Sequence, residues 1–224
     1  MPWSREKSFA LGLPAGLCVL LFLFRVAYTH SSTDWFLIEN LVLAFVPLGV
    51  SILLVKNLRA YPWTSLPNLL LSALWLIFLP NAWYVLTDYV HTAPTGQINQ
   101  LYDIVLITSL VVAGFAAGFS SLMMVHMQLL KRLSFRLSAL IVAAVLLVSS
   151  FAIYVGRDLR WSSWDVVANP GGITLDVSDR VVHPLGHPRS WDMTGTVFLL
   201  LATTYGSIWL WQMPPSGSAK KRLN

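Results

Sequence analysis

Six apolar runs, at about residues 9–29, 36–55, 66–87, 103–130, 137–157 and 194–213, alternate with polar segments along the chain. Each is close to the roughly 20 residues that carry an α-helix across the hydrocarbon of a bilayer. Apart from Arg25, the bases fall in the connections or at the ends of the runs, and the two signs of charge separate. Arg5, Lys7, Lys56, Arg59, Lys131, Arg132, Arg136, Lys220, Lys221 and Arg222 occupy alternate connections, whereas every acid except Glu6 belongs to the other set. Lys and Arg accumulate on the cytoplasmic side of membrane proteins, so this alternation predicts segments 1–8, 56–65, 131–136 and 214–224 inside and 30–35, 88–102 and 158–193 outside. Both termini are then cytoplasmic. Amphipathic rings collect at the same boundaries: Trp35, Trp83, Tyr89, Tyr102, Tyr154, Trp161, Trp164 and Trp191 at the outer interface, and Tyr61, Trp63, Trp209 and Trp211 at the inner one.

Composition agrees with a bilayer as solvent. At 56% hydrophobic and 11% charged residues, the chain has too few polar groups to coat a water-soluble globule of 224 residues. The sequence pI near 9.6 does not indicate a nucleic-acid partner, because the basic excess lies in short segments flanking apolar runs, where it orients insertion and meets anionic lipid. The single cysteine, Cys18, rules out an intrachain disulfide and a cysteine-based metal site. The first run is long for a signal peptide, and Arg25 with Tyr28 replaces a small-residue cleavage pattern, which favours a retained helix. The expected organisation is therefore all-α: one six-transmembrane-helix bundle over residues 1–213, followed by a short basic tail at 214–224.

Small residues and prolines predict how the helices pack. Apolar side chains gain little by leaving lipid for one another, so close backbone approach must compensate. Gly114/Gly118, Ala152/Gly156 and Ala202/Gly206 have the spacing for it on the fourth, fifth and sixth spans, and packing within one bundle is favoured over dimerisation. Pro14, Pro47 and Pro80 interrupt the first three spans, each freeing a carbonyl one turn earlier, so kinks are expected there.

Candidate chemistry concentrates at the outer end of the third span. If residues 80–91 are helical throughout, Asn81, Tyr84, Asp88 and His91 form one polar stripe, which must face protein or water. Asn81 is expected to bond a neighbour or the Leu76 carbonyl released by Pro80. Asp34, Glu39, Asp103 and Asp192 sit at helix N-terminal ends, where the dipole favours them, but Asp88 lies at a C-terminal end and calls for a cationic partner. Arg157 and Arg160, on one face of the fifth span with Tyr154 and Trp161, are the nearest candidates by depth, with Asp158 and Asp165 beside them. Two forked guanidiniums suit a carboxylate or phosphate; the alternative is a salt-bridge cluster that locks the third span to the fifth. Arg25 is expected to pair with Glu39 across a short connection, or to snorkel.

His91, His183 and His187 are all outside, but Pro184 and Gly186 argue against a helix that would align the last two, so no metal is assigned. His30 is read as interfacial and His126 as packed or hydrated. In the long segment 158–193, Asn169-Pro170-Gly171-Gly172 reads as a turn leading into a short strand or hairpin at 173–177, which could cover the bundle's outer mouth as a lid. Nucleotide-loop, serine-hydrolase and zinc-protease signatures are missing from the sequence, and no cofactor is implied.

Leu79-Pro80-Asn81 with Tyr84, Thr87-Asp88 and His91, then Tyr102-Asp103, then Gly156-Arg157 with Arg160-Trp161 and Ser163-Trp164-Asp165, resemble a family of uncharacterised bacterial membrane proteins, the domain of unknown function 1361. Trp83 stands where a second proline is expected from that family. The resemblance implies a multi-pass protein of the bacterial plasma membrane and no known activity. The resulting expectation is an outward-facing pocket of Asn81, Tyr84, Asp88, His91, Asp103, Arg157, Arg160 and Asp165 that binds an anionic small molecule, a lipid headgroup or a partner protein. A membrane enzyme acting on a lipid or lipid-linked substrate is the alternative. Transport is less favoured, because the cytoplasmic halves of the spans carry almost no ionisable residues.

Overall fold

The computed structural model describes residues 5–31, 34–92 and 98–212. The tail at 214–224, with Lys220, Lys221 and Arg222, lies outside the described residues. The helices are α1 (Arg5–Thr29), α2 (Phe36–Asn57), α3 (Leu66–Phe78), α4 (Asn81–Tyr84), α5 (Gln100–Leu129), α6 (Phe135–Asp158), α7 (Asp165–Ala168), α8 (Pro170–Val182) and α9 (Pro188–Gln212), with 3₁₀ turns at Val85–Thr92 and Pro184–Gly186. Six helical stretches are long and apolar enough to cross a membrane: Phe9–Thr29, Phe36–Asn57, Leu66–Thr92, Gln100–Leu129, Phe135–Asp158 and Pro188–Gln212. The protein is an all-helical, multi-pass membrane protein.

Two boundaries move for local reasons. The segment expected to form a strand or hairpin is the helix α8: the Asn169 side chain accepts from the Gly172 amide at 3.1 Å and Pro170 follows at the first helical position. Asn then Pro is a helix start when the side-chain oxygen can satisfy an orphan amide, and here that outweighs the turn reading of Asn-Pro-Gly-Gly. The sixth span begins at Pro188 rather than at residue 194, so Asp192 lies inside it instead of opening it.

α5 is the central element. It is the most deeply enclosed of the six spans, and α9 is the least. α1 and α2 pack on α5, α3 packs on α2, and α6 and α9 pair with each other. Leu54, Leu79, Trp83, Leu122, Leu146, Ile153 and Leu201 form the main core, while Leu13, Leu20, Leu70, Leu140 and Leu199 point outward. Outward-facing leucines on every side are what a lipid environment permits and water would not. The connections gather at two distinct ends. At the basic end, which carries Lys56, Arg59 and Lys131, Arg132 stacks over Trp63; at the acidic end, Arg25 meets Asp34 and Asp103.

Pro14 and Pro47 lie within unbroken helices, and only Pro80 divides its span. Hydrocarbon offers no hydrogen bonds, so polar groups at this depth must find partners inside the bundle. The buried Ser121 hydroxyl accepts from the Trp75 indole at 2.8 Å and donates to the Pro47 carbonyl at 2.9 Å, joining α3, α5 and α2. Asn68 accepts from Asn57 and donates to the Tyr61 and Pro62 carbonyls, which fixes the α2–α3 turn.

The glycine pair of α5 accommodates the break in the third span. A Cβ on Gly114 would lie 2.5 Å from the Ala82 carbonyl oxygen, and one on Gly118 would lie 2.8 Å from the Ala82 Cβ and the Trp83 Nε1. Gly156 similarly receives the Tyr84 ring, at 3.2 Å from such a Cβ, whereas Gly206 has nothing within 4 Å, so the Ala202/Gly206 spacing is not a packing motif in this bundle. We predict that Gly114→Ala destabilises the bundle by about 1–3 kcal/mol through a clash with backbone that cannot rotate away. Gly206→Ala is expected to leave stability unchanged or slightly raised. Unfolding of the two purified variants in detergent checks the contrast.

Candidate functional site

Two polar clusters occupy the acidic end. In the first, Arg25 is only 6% exposed. Its Nη1 pairs with Asp34 and its Nε donates to Asp103 Oδ1 at 2.8 Å. The expected pairing with Glu39 is not formed; Glu39 is exposed. The reason is packing: α1 leans on α5 far more than on α2, so its buried arginine faces the start of α5. Tyr102, next to Asp103, donates its hydroxyl proton to the Leu21 carbonyl and strengthens the same joint. Asp103 is thus the neutralising partner of Arg25, favoured also by its place in the first turn of α5.

The second cluster surrounds Asp88, which is 4% exposed. Its Oδ2 accepts from Asn40 Nδ2 of α2 at 2.9 Å. Among the described residues no ion pair joins it to Arg157 or Arg160, so its direct partner is an amide rather than the expected guanidinium. The uniform helical stripe is also replaced: α4 gives way to a 3₁₀ turn, whose three-residue repeat sets His91 one turn along the same line from Asp88. The His91 ring rests 4.7 Å from Phe36, centroid to centroid. Tyr89, in the same turn, exchanges a 2.8 Å hydrogen bond with Thr108 of α5.

Asn81 reaches away from this pair. Its Nδ2 donates to Ser163 Oγ at 2.9 Å and to the Phe78 carbonyl at 3.1 Å, not to that of Leu76. Because the helix restarts after Pro80, the nearest free carbonyl is three residues back rather than four or five. Asn81 and the Tyr84 ring together fasten the third span to α6 and the segment after it.

Arg157 and Arg160 do not share a face. α6 ends at Asp158, and Arg160 is exposed with φ 62°, a left-handed conformation costly for a side chain with a Cβ. The reversal lets the Trp161 amide reach back to the Val155 carbonyl. Asp165 accepts from both the amide and the hydroxyl of Ser162 at 2.7 Å, and those donors, the amide first, hold its carboxyl below the ordinary aspartate range. Asp158 pairs with Arg189 at 2.9 Å. Arg157 is half-buried and makes no hydrogen bond or ion pair among the described residues.

α8 docks on this corner. Trp161 Nε1 donates to Asp176 at 2.7 Å, and Arg180 bonds the Tyr154 hydroxyl and the Asp176 carbonyl. On its outer side Asp179 receives His187 Nε2 at 2.8 Å and His183 Nδ1 at 3.1 Å. Hydrogen bonding to His187 first and His183 second holds the Asp179 carboxyl below its usual range. The two imidazoles therefore do converge, on one carboxylate, across the Pro184–Gly186 turn. Among the described residues no group of three or more His, Cys, Asp or Glu side chains is arranged to hold a metal ion.

Of the eight expected site residues, Asp88 and His91 share one 3₁₀ turn, and Arg157, at the end of α6, bonds neither of them. Asn81 and Tyr84 fasten the third span to α6 and the segment after it, Asp103 belongs to the arginine cluster, and Arg160 and Asp165 shape the chain after α6. Asn40 and Ser163 are further participants. Asn40 is legible as an amide within an apolar run, a position that demands a partner; Ser163 carries no such signal. Removing the buried cation should expose how much the first cluster matters. Arg25→Ala leaves two carboxylates without their counter-charge and is expected to cost roughly 3–5 kcal/mol, read as lost resistance to unfolding in detergent.

Residues 39–204 match the sequence family described as Protein of unknown function (DUF1361). No curated protein and no solved structure is similar enough to the chain to match it. The chain belongs to the DUF1361 family.

Proposed function

From that membership, which assigns no activity, we propose that the protein is a plasma-membrane component of bacteria whose acidic end faces out of the cell and binds an anionic ligand at Arg157. The observation supporting this reading is the state of that guanidinium. It is half-buried at the end of α6, yet it has no acceptor among the described residues. Asp88 is already served by Asn40. Arginine held without an acceptor near the rim of a bundle suits a phosphate or carboxylate presented from water or from a lipid headgroup. Asn81 and the Tyr84 ring hold the neighbouring third span against α6 and the segment after it.

Two measurements test the proposal. With Cys18 replaced by serine, single cysteines at Ser178 and Arg59, both exposed, are treated on intact cells with a membrane-impermeant maleimide; labelling of the first alone supports the orientation, and labelling of the second alone reverses it. For the site, the purified chain is titrated with inorganic phosphate and with a soluble phosphatidylglycerol, following thermal unfolding. A ligand-induced rise that Arg157→Ala abolishes, with the unliganded transition unchanged, supports binding. A loss of folding in Arg157→Ala without ligand makes the residue structural instead.

An enzyme acting on a lipid-linked substrate is the second reading, favoured by the succession of Asp88 and His91 along one 3₁₀ turn, a carboxylate and an imidazole suited to proton transfer. Bell-shaped pH dependence of turnover would select it over simple binding.

A further inference from the structure

The bundle is closed at one side of its acidic end and parted at its basic end. Near Pro80, the Tyr84 ring fills the space beside Gly156 and joins the third span to α6. Toward the basic end the two diverge, because α3 packs on α2 while α6 packs on α9. The gap between them is floored by α5 and holds a cavity of about 160 Å³. Its walls include Trp63, Trp75, Leu76, Leu122, Val142 and Val145, and they are almost wholly apolar. The polar atoms at its border are already committed: the Trp63 indole donates to Ser72, Ser72 to the Asn68 carbonyl, and the Trp75 indole to Ser121. Such a wall offers nothing to water or to a polar ligand and suits a hydrocarbon chain.

The mouth of the same cleft is positively charged. Leu129, the last residue of α5, lines it, and Lys131 and Arg132 follow after Leu130. Lys131 Nζ donates to the Gln128 side chain at 3.2 Å and Arg132 Nη1 to the Gln128 carbonyl at 3.0 Å. The Arg132 guanidinium lies 5.5 Å from the Trp63 ring centre. Both bases are exposed, neither forms an ion pair among the described residues, and both are anchored within a turn of the apolar floor. We propose that the cleft between α3 and α6 is a binding site for one anionic phospholipid, an acyl chain lying against Trp75, Leu122 and Val142 and the phosphate meeting Lys131 and Arg132. Charge complementarity selects the occupant: a zwitterionic lipid would satisfy the hydrocarbon but not the two cations. The site is at the opposite end of the bundle from Arg157 and stands whether or not a ligand binds there.

Native mass spectrometry of the full chain, extracted in mild detergent and given equal amounts of phosphatidylglycerol and phosphatidylcholine, tests this. The expected result is a one-lipid adduct carrying phosphatidylglycerol in preference. Arg132→Gln should lower that preference about fivefold, the worth of one base near a lipid surface. Val142→Phe, which fills the cleft without touching the bases, should remove the adduct of either lipid while the thermal transition of the protein is retained. Equal retention of the two lipids by the unaltered chain overturns the charge assignment. A one-lipid adduct that survives Val142→Phe overturns the cleft as its seat. Should Val142→Phe unfold the protein, Val145→Leu provides the same readout with a smaller increase in volume, and an unchanged adduct in that folded variant also counts against the site.

Discussion

The third span can break at Pro80 because α5 presents two positions without side chains where the broken segment passes. With the Ala82 carbonyl and the Trp83 ring pressed against Gly114 and Gly118, the short helix α4 lies closer to α5 than any larger residue would allow. That approach replaces the dispersion contacts that a continuous helix would have made, and dispersion is the main attraction available between helices in lipid. The same approach positions the 3₁₀ turn after α4. That turn carries Asp88 to Asn40 on one side and Tyr89 to Thr108 on the other, so the most polar part of the span is held between α2 and α5.

Charge is handled in three ways at this end of the molecule. Arg25 is enclosed with two carboxylates, an arrangement with its own hydrogen bonds and little need of solvent. Asp88 is buried with a neutral amide, which orients the carboxylate without cancelling its charge. Arg157, half-buried at the end of α6, has no acceptor among the described residues. The contrast separates an element of architecture from a site with unused capacity, and it could not be drawn from residue type alone, since all three are single ionisable groups near helix ends.

The spans are legible in the sequence because hydropathy and charge placement are consequences of the bilayer itself and require no knowledge of tertiary contacts. Partner identity is less so. Proximity along the chain points Arg25 to Glu39, but a helix presents several faces, and which one is covered depends on α5, which comes much later in sequence. Likewise, Asn169-Pro170-Gly171-Gly172 carries the letters of a turn and the geometry of a helix cap; only the amide that Asn169 captures distinguishes them. Arg160 shows the opposite failure: its spacing from Arg157 fits a helical face, yet the chain leaves the helix between them. Asn40 needs only closer reading, as an uncharged amide in an otherwise apolar run.

The arginine cluster also has a consequence for the order of assembly. Arg25 is separated from Asp103 by 78 residues, whereas Asp34 lies in the next turn of chain to emerge. A guanidinium entering a membrane ahead of its distant carboxylate needs a nearby one in the interval, and Asp34 can serve from the moment the first hairpin forms. Asp103 then completes the enclosure when α5 arrives, so that the central helix is recognised by a charge already waiting in place.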